Sequence, residues 1–194
     1  MCWMTIQTDE DGDAAAEAAR AIARGERMAG GHSWGIAFPD GEGEVEIHRG
    51  VGHVPTFLSR GLSQEVDADI ALGHTRFATR GTITVENAHP FPVHDEDGKV
   101  IAALAHNGTW HDAPDTDRAD SYYIARLMES LIHGGHDVQE AFHMAGDITG
   151  ETLVALTADG DGFVHSGRFE ITTLAGSIMS SGGRPIPTGE VRAI

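Results

Sequence analysis

Along the 194 residues, short runs of alternating or continuous apolar residues are broken by Gly, Pro and Asp clusters, and four stretches carry helical spacing instead. Met1 to Gln7 contains Cys-Trp-Met-Thr-Ile and reads as a strand. An acidic turn from Asp9 to Asp13 leads into AAAEAARAIARGERM, alanine-rich and strong in helix propensity. Asp13 is its expected N-cap and Gly30-Gly31 its expected stop. Ser33 to Phe38 and Val45 to Arg49 read as strands joined by the turn Pro39-Asp40-Gly41. Val54 to Leu62 reads as a short helix with Pro55 in its first turn, and Asp69 to His74 as an apolar strand.

Arg76 to Phe91, with Gly81, Asn87 and Pro90, shows no periodicity and is expected to be a long loop, a type of segment that is often functional. Val100 to Ala105 is a buried strand running into His106-Asn107-Gly108. From Asp120, DSYYIARLMESLIHGG places Tyr123, Leu127 and Leu131, with Ile124 and Met128, on one helical face that Gly134-Gly135 ends. A second helix covers Val138 to Ala145. Strands follow at Thr152–Thr157, Gly162–Ser166, Ile171–Leu174, Ser177–Ser180 and Glu190–Ile194, with Asp159-Gly160-Asp161-Gly162 as a hairpin turn. Strands and helices in this order point to helices outside a mainly antiparallel sheet system, in one domain spanning residues 1–194.

Charge changes this picture outside the core. The chain has 13 Lys+Arg against 30 Asp+Glu, a net charge of −17, yet 40% of its residues are apolar. Lys99 is its only lysine. So acidic a surface around an ordinary core suits a salt-rich medium, where self-repulsion is screened, whether in a halophile or in a virus of such a host. It argues against a nucleic-acid partner or an anionic membrane, which call for a basic field. No early apolar segment reads as a signal peptide and no run of about 18 apolar residues reads as a span, so a cytoplasmic protein is expected.

Cys2 is the only cysteine, which excludes an intrachain disulfide and a multi-thiolate zinc site. His133-x-x-His136 and His106 with His111 lack companion ligands, so neither a metal nor a cofactor is expected. Position 2 is a poor place to bury a small hydrophobe. Removal of Met1 would leave Cys2 with both a thiol and a free α-amine, whose ordinary pKa of about 7.7–8 suits a general base. Nucleophile and base would then share one residue.

Further along stand Gly73-His74-Thr75-Arg76-Phe77-Ala78-Thr79-Arg80-Gly81, then Glu86-Asn87-Ala88-His89-Pro90-Phe91, then His106-Asn107-Gly108, then Asp120 at a helix start. In that order, behind a near-terminal Cys, these motifs resemble the class II glutamine amidotransferases with an N-terminal cysteine. The resemblance spans Cys2 to Asp120; beyond it the chain agrees only in its strands and in Gly167-Arg168. It implies an α+β fold, a four-layer αββα sandwich of the N-terminal nucleophile hydrolase type. It also implies release of ammonia from L-glutamine by Cys2, with Asn107 and the Gly108 N–H as the oxyanion hole. Arg76 would take the α-carboxylate and Asp120 the α-ammonium, while Phe77, Thr79 and His89 line the substrate loop. With no room for a synthase domain of usual size, the ammonia acceptor is expected on a partner chain.

The chain departs from the family pattern at Trp3 after the cysteine, at Arg80, at Tyr122 and at Gly31-His32-Ser33-Trp34-Gly35. Two alternatives stay open on sequence alone. With Met1 retained, the Cys2 amine would be an amide and the fold an inactive binding or structural module. A related amidase acting on another γ-glutamyl amide is the other.

Overall fold

The computed structural model describes residues 2–167 throughout and the strand backbones at Ile171–Leu174, Ser177–Ser181 and Val191–Ala193. Met1, Arg168, Glu190 and Ile194, each part of an expectation above, lie outside the described residues. In chain order the elements are β1 (Trp3–Thr8), α1 (Ala14–Gly25), β2 (Ser33–Pro39), β3 (Val45–Val51), α2 (Leu58–Glu65) and β4 (Ile70–Arg76). A 3-10 turn at Val85–Asn87 precedes β5 (Phe91–His94) and β6 (Val100–Asn107). Helices α3 (Asp120–His133) and α4 (Val138–Thr149) follow, then β7 (Thr152–Thr157), β8 (Gly162–His165), β9 (Ile171–Leu174), β10 (Ser177–Ser181) and β11 (Val191–Ala193).

Two antiparallel sheets result, one in the order β3-β2-β4-β1-β10-β9 and the other β11-β8-β7-β6-β5. The period of two along each strand explains how they stack. On β1 and β4, Met4, Ile6, Ile70 and Leu72 meet Ala103, Ala105, Val154 and Leu156 of the second sheet. Their neighbours on the other face, such as Ile36 and Phe38 of β2 and Ala71 of β4, meet the alanine face of α1, with Leu62 of α2. On the second sheet, Ala102, Leu104, Leu153 and Ala155 meet Ile124 and Met128 of α3 and Phe142 of α4. Helices cover both outer faces, giving the α+β four-layer αββα sandwich.

Carried to the strand ends, the same parity places the chemistry. Cys2 shares the inter-sheet side with Met4 and Ile6; His74 and Arg76 share it with Leu72; Asn107 shares it with Ala103 and Ala105. His106 falls on the other face, beneath α3.

Several boundaries differ from the sequence reading. Helix α1 stops at Gly25, not at Gly30-Gly31; Gly25 lies against the Trp3 indole, where a Cβ would sit 2.3 Å from Cγ, so that position takes no side chain. Asp13 holds the N-cap position without capping; its carboxylate bonds Arg20 at 2.6 Å instead. Helix α2 starts at Leu58, four residues later than expected; before it the Val54 N–H is held by the Glu26 carboxylate at 3.0 Å and Pro55 lies outside the helix. Strand β5, within and beyond the expected loop, carried no sequence signal because Pro92 interrupts it; as an edge strand it tolerates the missing donor. On α3 the buried face centres on Ser121, Ile124, Ala125 and Met128, with Leu127 and Leu131 flanking it, and Tyr123 bonds Thr116 at 2.8 Å. No helix among the described residues is long and apolar enough to cross a membrane.

Candidate active site

Cys2 opens the inter-sheet layer at one end of the sandwich and is buried. Its backbone N–H donates to Asn107 Oδ1 at 3.2 Å. Its Sγ accepts from the Phe77 backbone N–H at 3.4 Å. Burial pushes the thiol above its ordinary pKa; the Phe77 N–H and the positive charge of Arg76 pull the other way, and Asp120 adds to the rise. The residues on either side of the thiol therefore come from three segments far apart in sequence: the end of β4, the end of β6 and the start of α3.

Arg76 ends β4 and is only 3% exposed. Its guanidinium donates to the Thr82 carbonyl at 3.1 Å and to the Arg80 carbonyl, so it holds the loop that follows it. Burial lowers its pKa, while Cys2 and Asp120 raise it. Asp120 is the first residue of α3, with Ala119 in the N-cap position. Its carboxylate accepts from the Trp110 N–H at 2.8 Å and from the Ser121 N–H at 3.1 Å, at the positive end of the helix dipole.

The loop after β4 is tied down along its length. The Phe77 ring, 44% exposed, stacks on His32 with centroids 4.5 Å apart, and His32 Nδ1 accepts from the Ala78 N–H at 3.0 Å. Thr79 meets Thr109 at 3.0 Å through their hydroxyls. Arg80 donates to the Trp110 carbonyl at 2.8 Å. Gly81, at φ +73°, lies against the backbone of Arg118 and Ala119, where a Cβ would meet Ala119 N at 2.5 Å. Asn87 donates to the carbonyls of Thr82 (3.1 Å) and Asp117 (2.7 Å) and accepts from the Ala119 N–H at 3.0 Å, which links the loop to the start of α3.

His89 stands behind this front. It is buried, its ring 4.1 Å from that of His74 and edge-on to Phe91 at 5.0 Å. Its two ring nitrogens and His74 Nδ1 have no hydrogen-bond partner among the described residues. Burial lowers His74 from 6.5 to about 3, and burial together with His74 holds His89 well below its ordinary range. Both imidazoles are thus neutral at physiological pH.

Gly108 follows Asn107 at a point with no room for a side chain: a Cβ would lie 1.9 Å from Glu151 Oε2 and 2.8 Å from His106 Nε2. His106 itself bonds Ser121 Oγ at 2.9 Å. Among the described residues no group of three or more His, Cys, Asp or Glu is arranged to hold a metal ion.

The sequence-predicted residues thus fall in two tiers. Cys2 is hydrogen-bonded to both Phe77 and Asn107, Arg76 and Asp120 act on the Cys2 thiol through their charges, and Gly108 adjoins Asn107. Thr79 is bonded to Thr109 and His89 lies in the histidine stack; neither is hydrogen-bonded to Cys2. Three supports escaped sequence reasoning: His32, Asn87 and Glu151. Asn87 sits inside the quoted Glu86-Asn87-Ala88-His89 motif and was legible there. His32 was visible only as a departure from the family pattern, and a Glu before a strand carries no signal.

Residues 13–123, more than half of the chain, match the family described as Glutamine amidotransferases class-II. Arg76, Asn107, Gly108 and Asp120 lie within that match and Cys2 precedes it. The amidophosphoribosyltransferase of Mus musculus is 38% identical over 109 residues, covering 55% of this chain and 19% of that protein. Glutamine–fructose-6-phosphate aminotransferase (isomerizing) of Halalkalibacterium halodurans is 30% identical over 136 residues, covering 64% of this chain and 22% of that protein. The chain thus spans about a fifth of the length of these curated relatives. Among solved structures, the glutamine phosphoribosylpyrophosphate amidotransferase of B. subtilis superposes with a TM-score of 0.68 at 19% identity, over 100% of this chain and 47% of that one. A glutamine aminotransferase class-II domain protein from Silicibacter pomeroyi superposes with a TM-score of 0.58 at 14% identity, over 100% of this chain and 94% of that one.

Proposed function

The chain belongs to the class II glutamine amidotransferases, and on that premise we propose that it hydrolyses the side-chain amide of L-glutamine with Cys2 as nucleophile, delivering ammonia to an acceptor on a partner chain or domain. The observation that carries this reading is the 3.2 Å hydrogen bond between the Cys2 nitrogen and Asn107 Oδ1. It joins the would-be base to the would-be oxyanion residue across two sheets. Because the Asn107 oxygen is turned to that nitrogen, the oxyanion contact falls to its Nδ2.

In the proposed reaction Met1 has been removed. The free amine of Cys2 takes the thiol proton, Sγ bonds to the carboxamide carbon, and the carbonyl oxygen becomes an oxyanion facing Asn107 Nδ2 and the Gly108 N–H. Each such donor contributes about 3 kcal/mol in a dry site. The C–N bond then breaks, the leaving amine receives the proton carried by the Cys2 amine, and water resolves the thioester to glutamate.

Arg76 gives two donors to loop carbonyls; of its five N–H groups the others are assigned the α-carboxylate. Asp120 is assigned the α-ammonium. Phe77 offers its backbone to the thiol and its ring to the mouth of the site, Thr79 the loop rim, and His89 a neutral wall. Residues 1–194 are read as one such domain.

Ammonia release from glutamine by the purified chain and by Cys2→Ala tests the reading, with intact mass measured on the same samples. Activity in a chain beginning at Cys2, and none in the variant, is the expected result. Equal activity in a chain that keeps Met1 would overturn the mechanism.

A further inference from the structure

We infer that Glu151, acting through His106, is a positioning residue that sets the 106–108 segment against the start of α3. The inference rests on the glutaminase reading for its kinetic consequences, and its structural content can be read without it.

Glu151 lies just before β7 and is 0% exposed. A wholly buried carboxylate is costly unless it is paired and hydrogen-bonded. Here Oε2 lies 3.4 Å from His106 Nε2. The other nitrogen of that ring, Nδ1, lies 2.9 Å from Ser121 Oγ. A neutral imidazole satisfies both contacts in one direction: Nε2–H donates to Glu151 and Nδ1 accepts from the Ser121 hydroxyl. The relay thus runs from the start of β7, through β6, to the second residue of α3.

Each stop adjoins a site residue. His106 precedes Asn107 and Gly108, and the Glu151 carboxylate fills the space where a Gly108 side chain would stand. Ser121 follows Asp120 and donates its backbone N–H to the Asp120 carboxylate at 3.1 Å. Glu151 is itself anchored, for its carbonyl accepts from His165 Nδ1 at 3.0 Å and its N–H donates to Thr149 Oγ1 at 3.4 Å. The His106 carbonyl is held from the opposite sheet by His74 Nε2 at 3.3 Å. Strand pairing fixes Asn107 opposite Thr152, but past that pair the ladder ends and Gly108 has no strand partner to set its direction. The Glu151–His106–Ser121 relay supplies that constraint from the side.

The relay makes a split between its two ends. Loss of Glu151 should loosen the segment that faces the oxyanion and so lower kcat, since that contact exists only in the transition state. Loss of the Ser121 hydroxyl should loosen the Asp120 end and raise KM. Misplacement of such groups by about 1 Å costs on the order of 100-fold, so kcat in Glu151→Ala should fall about 10- to 100-fold with KM within about 2-fold. Glu151→Gln keeps an oxygen that can accept from Nε2–H and should recover kcat to within about 3-fold. Ser121→Ala should raise KM for glutamine several-fold at nearly unchanged kcat.

The experiment measures these constants per active site, titrated with a diazoketone analogue of glutamine, and records backbone amide NMR spectra of the same proteins. The expected result is the kcat/KM split, rescue by Glu151→Gln, and shifted or broadened Asn107, Gly108 and Ser121 amides in Glu151→Ala with the remote β2 and β3 amides unmoved. A wild-type chain that releases no ammonia defeats the glutaminase reading alone, and the amide spectra then decide the positioning role. Unmoved Gly108 and Ser121 amides in Glu151→Ala overturn it, as does a loss of activity that only tracks the number of titratable sites.

Discussion

Acid should unfold this protein earlier than its carboxylates require, through two histidines that the fold keeps neutral. His74 and His89 are buried against each other between the sheets, and burial lowers His74 from 6.5 to about 3. A histidine whose folded pKa lies below its unfolded value stabilises the fold fully above about pH 6.5. That contribution is lost as pH falls towards 3, because the unfolded chain binds a proton that the folded one refuses. At 1.36 kcal/mol per pKa unit, His74 alone withdraws about 2 kcal/mol between pH 7 and pH 5. For a chain of this length that is roughly 4–8 °C in Tm. His89, lowered by burial and by His74, adds in the same direction. Carboxylates, with unfolded pKa values near 4, titrate little in this window. Chemical denaturation of wild type and His74→Gln at pH 5, 6 and 7, in about 2 M NaCl to screen the net charge, isolates the effect. Glutamine retains a donor for the His106 carbonyl but does not titrate. The variant should therefore show a pH slope shallower by close to one proton. Identical slopes in the two proteins, or a wild type that gains stability on acidification, would refute the reasoning.

Asn107→Ala should lower kcat for glutamine hydrolysis by about 100- to 1,000-fold while the chain still folds, as judged by its melting curve. Asp120→Asn removes the charge and leaves one acceptor oxygen where two separate oxygens take the Trp110 and Ser121 amides; steady-state kinetics should show KM rising about 10-fold or more with a smaller change in kcat. Gly108→Ala must push the Glu151 carboxylate away from a contact of 1.9 Å, and should cost about 1–3 kcal/mol by denaturant titration along with most of the activity. With a net charge of −17, Tm should climb as NaCl rises from about 0.1 M to 2 M; a flat profile would remove the salt-adapted reading.

How far the fold was legible depended on which force set each feature. Where an unbroken apolar run decided it, as in VIAALA running into His106-Asn107, the buried strand followed from the residues, while its two faces and the layer of Asn107 are set by the stacking of the sheets. Where a tertiary contact decided it, local signals misled. The Trp3 indole fills the space a Gly25 side chain would need, and α1 ends there, although Gly30-Gly31 is the stronger stop by propensity. Phe91-Pro92-Val93-His94 pairs with β6 despite its proline because it lies at a sheet edge. The site shows the same division. Cys2, Arg76, Asn107 and Asp120 carry side chains whose chemistry is visible anywhere in a chain. Glu151 resembles any surface glutamate until the strand pairing lays it over Gly108.

The state of the thiol bears on why the amine of Cys2 matters. The Phe77 N–H at 3.4 Å, the positive chain terminus and the buried charge of Arg76 favour a thiolate, yet burial outweighs them and the thiol stays above its ordinary pKa. No thiolate is therefore held ready at neutral pH, and attack on an amide requires a base at the moment of reaction. In the proposed mechanism that base is bound covalently to the nucleophile and kept in place by Asn107 Oδ1, so it needs no separate histidine. The three buried histidines nearby fit that division of labour: His74 and His89 are too depressed to accept a proton near pH 7, and His106 already faces Ser121 and Glu151. With the amine as base, log kcat/KM should rise with pH through the amine's titration, near 7.7–8 if unperturbed. A limb set by a histidine near 6.5 would instead place the base elsewhere.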